Sequence, residues 1–342
     1  MTWRIGDIEC DGPVVLGPMS GYTSSSYRDF MKPFGVAVSM TEMTSAVGIA
    51  NSDLKTTDYL DFDRNYPTGL QLFGHSEEDI AKAARMALDY NPNIDFFDIN
   101  MGCPVHKILR SGAGSVLMKD PALCGRIVSS VKKATSLPVT AKIRLGSDRN
   151  HMNYMDVIRE LESSGVDAVT VHARTKDQGY SGTPDFDVIR DLQKEISVPL
   201  IVSGNIYGLD DAISAMDITS ATAVMVARGG VGNPFLVTQI DEYYRSGKRL
   251  PNPTVSQQIQ WCIQLTDMLI EEKGEEVAIR KLRSIAPKIV SGCHRCREYR
   301  LRIATQIDTR DDLVRILEEI DRKMGLEQIN TDGRSTYYTI DP

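Results

Sequence analysis

No run of about 18 apolar residues interrupts the 342-residue chain, which excludes a membrane-spanning helix. The first residues, Met1-Thr2-Trp3-Arg4-Ile5-Gly6-Asp7, lack the apolar segment of a signal peptide, so none is expected. Six cysteines, Cys10, Cys103, Cys124, Cys262, Cys293 and Cys296, are scattered too thinly for a disulfide framework, and the expected setting is a reducing cytoplasm. Positive charge is not in excess. The net charge of −7 alone argues against a dedicated nucleic-acid binder. No Gly-x-Gly-x-x-Gly turn follows the first apolar run, where Leu16-Gly17-Pro18-Met19-Ser20-Gly21 stands instead. That weakens the case for an open, doubly wound sheet. There is no low-complexity segment.

A hydrophobic content of 42% with 25% charged residues is that of a globular protein with a substantial core. Eight short apolar runs recur: Val14–Gly17, Val36–Met40, Gly69–Phe73, Phe96–Ile99, Val139–Ile143, Ala168–Val171, Leu200–Val202 and Ala223–Val226. None alternates with period two, as expected of parallel strands buried on both faces. Helical spacing follows most of them, over 25–32, 76–90, 121–135, 153–164, 185–195, 209–216 and 234–244, with Ser76 as a cap ahead of Glu77, Glu78 and Asp79. Eight strand–helix units predict an α/β fold of the (β/α)8 TIM barrel type. Charge, glycine and two prolines make a linker of Arg245–Pro253, after which only helical spacing appears, over 257–271, 275–289, 295–306 and 311–323. The expected organisation is a barrel over 1–245, a small all-helical domain over 246–330, and a tail over 331–342.

In such a barrel, functional groups collect where the strands end. Those ends carry Pro18-Met19-Ser20, Gln71, Asn100 with Cys103, Lys142 and Arg144, His172 and Arg174, Ser203-Gly204-Asn205, and Ala227-Arg228. Singly, each has an ordinary reading: Cys103 as a small buried hydrophobe, Lys142 as a solvated cation, His172 as a satisfied core residue, the glycine loops as tight turns. Together they line one rim. The glycine loops after the seventh and eighth strands lie where barrels commonly hold phosphate on backbone N–H groups. Gln71 and Asn100 carry amides that donate and accept, which suits a heterocycle such as an isoalloxazine or a pyrimidine. Between Arg280 and Arg302, eight Arg or Lys face one acid, Glu298, a candidate anion surface in an otherwise acidic chain. Cys293 and Cys296 supply half of a closed zinc site, with Cys262 a conceivable third ligand. Ordinary helix cysteines fit better, and no metal is assigned.

The residues resemble the tRNA-dihydrouridine synthase family. The likeness rests on Gly17–Thr23, Gln71–Gly74, Asp98-Ile99-Asn100-Met101-Gly102-Cys103-Pro104, Ser111–Ser115, Lys142–Gly146, Val171–Thr175 running to Gln178–Gly182, and Arg228–Pro234. It implies a flavin mononucleotide (FMN) barrel, a helical tRNA-binding domain, NADPH as reductant, no membrane and no stable protein partner. The reaction implied is reduction of a D-loop uridine to 5,6-dihydrouridine, with hydride from flavin N5 to C6 and a proton from Cys103 to C5. By the same resemblance Pro18, Met19, Ser20, Gln71, Lys142, His172, Ser203, Gly204, Asn205, Ala227 and Arg228 hold the flavin, and Asn100 and Arg144 face the uracil. Two rivals stand beside this: a flavin enzyme acting on a free small molecule, as dihydroorotate dehydrogenases do, and a non-catalytic RNA- or flavin-binding protein.

Overall fold

The computed structural model describes residues 1–331 except 54, 55, 57, 64 and 65, so the expected tail lies outside the described residues beyond Thr331. Eight strands close on themselves: β1 (Val14–Leu16), β2 (Val38–Met40), β3 (Thr68–Phe73), β4 (Phe96–Asn100), β5 (Val139–Arg144), β6 (Ala168–His172), β7 (Leu200–Ser203) and β8 (Ala223–Val226). All eight pairings are parallel, and β8 returns to β1. The TIM-barrel expectation is met strand for strand.

Side chains alternate between two hydrophobic compartments. Leu70, Leu72, Phe97, Ile99, Ala141, Ile143, Val169, Val171, Val202 and Val224 point outward into the helical layer. Val15, Val38, Phe96, Ala168, Ile201, Ala223 and Met225 point inward. Gly69 has no side chain because the Phe96 ring fills that space; an added Cβ would sit 2.3 Å from it. The floor of the barrel is a hairpin, Thr2–Ile5 with Ile8–Asp11, which pushes Trp3, Ile5 and Cys10 against the inward residues. Sequence reasoning passed over it, although Thr2–Ile5 alternates exposed and buried.

Around the strands run α1 (Ser25–Met31), α2 (Glu77–Tyr90), α3 (Pro121–Ala134), α4 (Tyr154–Ser163), α5 (Leu209–Thr219) and α6 (Phe235–Ser246). Ser76 caps α2 as expected, accepting from the Asp79 N–H. The helix predicted over 185–195 is not formed. Asp191 adopts a left-handed backbone, φ 55°, donates its N–H to the Ile218 carbonyl, and splits the segment into the 3-10 turns Phe186–Ile189 and Leu192–Lys194.

The chain then forms α7 (Val255–Lys273), α8 (Glu275–Ile289), α9 (Cys296–Gln306) and α10 (Arg310–Met324), packed on one another. They are fastened to the barrel by Trp261, which meets Phe34 edge-on and stacks on Phe235. Ser26 adds two hydrogen bonds, its hydroxyl donating to the Met268 carbonyl and its N–H to Glu272. Nearer the strand ends, the Lys288 ammonium lies 4.6 Å from the centre of the Tyr22 ring, and the Tyr22 and Ser284 hydroxyls are 2.8 Å apart. The basic segment therefore borders the rim on which β1 opens. No helix among the described residues is long and apolar enough to cross a membrane.

Candidate active site

The inward alternation changes character along the strands. The lower positions are apolar. The upper ones are Gln71, Asp98, Asn100, Thr140, Lys142, Arg144, Thr170, His172 and Ser203, a polar layer buried inside a protein wall. Register makes them neighbours: Gln71 sits beside Asp98, Asn100 beside Lys142, and His172 between Arg144 and Ser203.

Cys103 opens this layer to the outside. Its thiol is half-buried, and its loop is pinned from both sides. The Cys103 N–H donates to Asn100 Oδ1 at 3.0 Å, and its carbonyl accepts from the Ser115 N–H at 3.0 Å and the Ser115 hydroxyl at 3.1 Å. Gly114, φ +68°, lets this close approach happen, since a Cβ there would lie 2.6 Å from the Cys103 carbonyl oxygen. Burial raises the thiol above its ordinary range, outweighing the pull of a backbone hydrogen bond, Arg144 and Lys142. At neutral pH the group is a thiol.

Four cations, Lys142, Arg144, Arg174 and Arg228, crowd the rim next to Cys103. Burial, followed by Arg144, lowers Lys142 to about 8; its side chain is partly open to the lumen while protein encloses the ammonium. Arg144 donates to the carbonyls of Gly102, Thr175 and Gly179 at 2.6–2.8 Å, and Arg174 to those of Ser181 and Gly182. Both arginines thus draw the 175–182 loop over the mouth. Tyr180 of that loop lies between Arg144 and Arg228, 5.5 and 5.3 Å from its ring centre.

His172 is held neutral. Burial acts first, then Arg144, Lys142, Arg174 and Arg228, and its pKa falls well below the usual range. Arg174 donates to His172 Nε2 at 3.0 Å, so the ring proton sits on Nδ1. Arg228 reaches Asn205 at 3.4 Å and thereby ties the loop after β8 to the loop after β7. Among the described groups bearing on His172, every charge is positive. The donor set suits an anionic, electron-rich ligand. A separate outer cleft of about 880 Å³ shares Gly204 and Asn205 with the mouth but is lined by Asp185, Asp187, Asp210 and Asp211, the wrong charge for such a ligand.

Of the residues singled out from the sequence, Gln71, Asn100, Cys103, Lys142, Arg144, His172, Ser203, Asn205 and Arg228 converge, with Gly204 and Ala227 in the loops between them. Pro18 and Met19 stand half-buried on the loop after β1, and Ser20 is exposed. Sequence reasoning gave no role to Asp98, Thr140, Arg174 or Tyr180. A carboxylate amid Phe96, Phe97 and Ile99 was the available signal for the first. In the basic segment, Arg280, Arg283, Arg295 and Arg302 pair with Glu276, Asp308, Glu298 and Glu319, three of them acids outside the segment counted. Cys293 is buried and donates to the Val290 carbonyl, and no group of three or more His, Cys, Asp or Glu among the described residues is arranged to hold a metal ion.

Similarity to known proteins fits this geometry. A family model described as dihydrouridine synthase matches residues 15–324. A probable tRNA-dihydrouridine synthase of Rickettsia bellii (strain RML369-C) is 32% identical over 299 residues, 87% of this chain and 91% of that protein. One from Rickettsia conorii is 33% identical over 300 residues, covering 87% and 90%. The tRNA-dihydrouridine synthase B of Pseudomonas aeruginosa is 30% identical over 307 residues, covering 90% and 92%.

Proposed function

The chain belongs to the dihydrouridine synthase family, and from that premise we propose that it reduces a uridine in the D-loop of tRNA to 5,6-dihydrouridine, with FMN as cofactor and NADPH as reductant. The observation that carries this reading is Cys103: a protonated thiol on a pinned loop, opening onto a buried cationic rim.

The cationic layer fits FMN by charge. Lys142, the Nδ1–H of His172 and Arg228, with Ser203, Gly204, Asn205 and Ala227, would hold its anionic and electron-rich parts; Gln71, Pro18, Met19 and Ser20 would border the ring. When bound, the flavin supplies the hydride that adds to uracil C6. The remaining work falls to this chain. Addition at C6 leaves negative charge over C5 and O4, and Cys103 Sγ–H is the acid that protonates C5. Arg144, its guanidinium immobilised by three carbonyls, would place fixed positive charge beside the pyrimidine. The loop of 175–182 and the half-buried position of the thiol limit water at the reacting face.

A uridine must leave its stack to enter the barrel, at a cost of a few kcal/mol. We assign the offsetting phosphate contacts to residues 246–330, whose basic face meets the rim at Tyr22 and Lys288. Four phosphate contacts predict a slope near −3 in log affinity against log salt, roughly fifty-fold between about 50 and 200 mM. Filter binding or anisotropy with tRNA measures it. A flat response would favour the free-small-molecule reading instead. The direct test is mass mapping of dihydrouridine in tRNA from a deletion strain: one D-loop position should lose the modification, and unchanged content would overturn the proposal.

Lys142 sets a pH dependence for cofactor binding. The ammonium, and its attraction for an anionic ligand, is fully present below about 8 and is lost as pH rises through that value. An anionic ligand in turn stabilises the ammonium, so affinity should fall by up to about tenfold per pH unit above 8, until the bound-state pKa is passed. Titration of the flavin-free protein with FMN at pH 7 to 10 checks this. Lys142→Met should bind more weakly at pH 7 and show no such slope.

A further inference from the structure

Asp98 lies fully buried in the polar layer, and neither the sequence nor the proposed chemistry gives it a task. It is the root of one continuous chain of hydrogen bonds. The Thr140 hydroxyl donates to Asp98 Oδ1 at 2.6 Å, and Gln71 Nε2–H donates to Asp98 Oδ2 at 2.6 Å. Asn100 Nδ2–H donates to Gln71 Oε1 at 2.9 Å. The chain ends on the catalytic loop, where Asn100 Oδ1 accepts the N–H of Cys103 at 3.0 Å and of Gly102 at 3.3 Å.

Asp98 accepts at both oxygens; burial pushes its carboxyl above the ordinary range, and the hydrogen bonds from Thr140 and Gln71, with the charge of Lys142, oppose that push. Were the Gln71 amide turned over, two oxygens would meet at 2.6 Å, and the next amide would have to turn as well, bringing the Asn100 NH2 against the N–H of Cys103. The direction of the chain is thus held at both ends, by the backbone N–H groups of Gly102 and Cys103 at Asn100 and by Asp98 at Gln71. We propose that Asp98 is a positioning residue that locks the polarity of the Gln71–Asn100 amide pair and, through it, the Cys103 loop.

The lock has a consequence for recognition. Asn100 Oδ1 is occupied by two backbone N–H groups and one Nδ2 hydrogen by Gln71. The second Nδ2 hydrogen meets only the Met43 sulfur, at 3.8 Å. Asn100 can thus offer a pyrimidine one donor and no acceptor. That selects a ring carbonyl oxygen and rejects an amino group at the same place, a distinction between uracil and cytosine. This consequence rests on the reductase reading; the lock itself does not.

The test uses the full chain without flavin and reads peptide-resolved alkylation of cysteines by iodoacetamide. Cys10, Cys124 and Cys262 are fully buried and serve as internal controls. Asp98→Asn should speed alkylation of Cys103 by about five-fold and leave the controls unchanged, because only the relay is lost. The double variant Asp98→Asn/Gln71→Glu moves the carboxylate to the other end of the same hydrogen bond. It still gives Asn100 Nδ2 an oxygen that only accepts, so Cys103 should return to within about two-fold of the parent rate. If Asp98→Asn loosens the whole fold and the controls react too, the double variant decides: restored protection at all four cysteines supports the lock, and no restoration overturns it. An unchanged Cys103 rate in Asp98→Asn, or a double variant as fast as the single one, also overturns it. Should tRNA dihydrouridine prove unchanged in the deletion strain while these rates hold, the reductase reading falls and the lock stands.

Discussion

Replacing Cys103 with alanine is expected to cut dihydrouridine formation by roughly 10²–10⁴-fold, the usual worth of a positioned general acid. The protein should stay yellow, because flavin binding is assigned to Lys142, His172, Arg228 and the backbone after β7 and β8, and the Cys103 thiol is not among those contacts. NADPH-dependent bleaching of that colour should keep its rate, since no proton from Cys103 is needed for it. Affinity for tRNA should be unchanged too, the phosphate contacts being assigned to the helical segment. Single-turnover conversion with saturating tRNA, read beside the bleaching rate, separates these steps. Full turnover in Cys103→Ala would remove the proton-donor role.

The same residue predicts the alkaline limb of the reaction. A thiol donates only while protonated, so activity should hold at low pH and fall as pH rises through the thiol pKa. Burial lifts that value above the ordinary thiol range of about 8.5. With FMN saturating, so that loss of the Lys142 charge does not intervene, the fall should come at a higher pH than an ordinary thiol would give. Cys103→Ser puts a far weaker acid on the same loop and should fall between the parent and the alanine variant.

The strands were readable because parallel strands buried on both faces leave continuous apolar runs, and the rim was readable because nearly every run ends in a polar residue. What was not readable has a common cause in long-range contact. The hairpin over Thr2–Asp11 is defined by what it plugs, and its own alternation is only four residues long on each side. The tautomer of His172 depends on Arg174, and Arg174 in turn on carbonyls of Ser181 and Gly182 in a loop that folds back over the mouth. Asp98 could be noticed as an acid in an apolar strand, yet its role needs Gln71 and Asn100 at their register positions. Counting charge over Arg280–Arg302 overstates the positive surface, because Glu276, Asp308 and Glu319 enter from neighbouring segments. The predicted helix over 185–195 failed for the same reason: the Ile218 carbonyl and the Ser220 hydroxyl hold Asp191 in a left-handed turn that local spacing could not reveal.

Gly229→Ala should abolish FMN binding at micromolar concentrations, a loss on the order of 100-fold or more, about 2.7 kcal/mol. Gly229 lies in the short helical turn Arg228–Gly232 that follows β8, and its backbone lies directly on the loop after β7: an added Cβ would stand 2.0 Å from the Ile206 carbonyl oxygen and 3.1 Å from Tyr207 Cα. Both contacts are backbone, so no rotamer change relieves them. That turn and the loop after β7 must move apart by more than an ångström. That parts Arg228 from Asn205 and takes the Ser203–Asn205 backbone out of register with His172, which it adjoins through β6 and β7. Overpacking of this kind costs about 1–3 kcal/mol of stability, so a modest fall in Tm should accompany the lost colour. The neighbouring Gly230 is the control. A Cβ there would meet side-chain atoms alone, Val226 Cγ1 and Met31 Cε at 3.2 and 3.3 Å and the Tyr27 hydroxyl at 3.7 Å, a misfit of a few tenths of an ångström rather than a backbone clash. Gly230→Ala should therefore bind FMN within a few-fold of the parent protein. Equal affinities in the two variants, measured by flavin fluorescence quenching, would mean that the contact between the two loops does not shape the cofactor site.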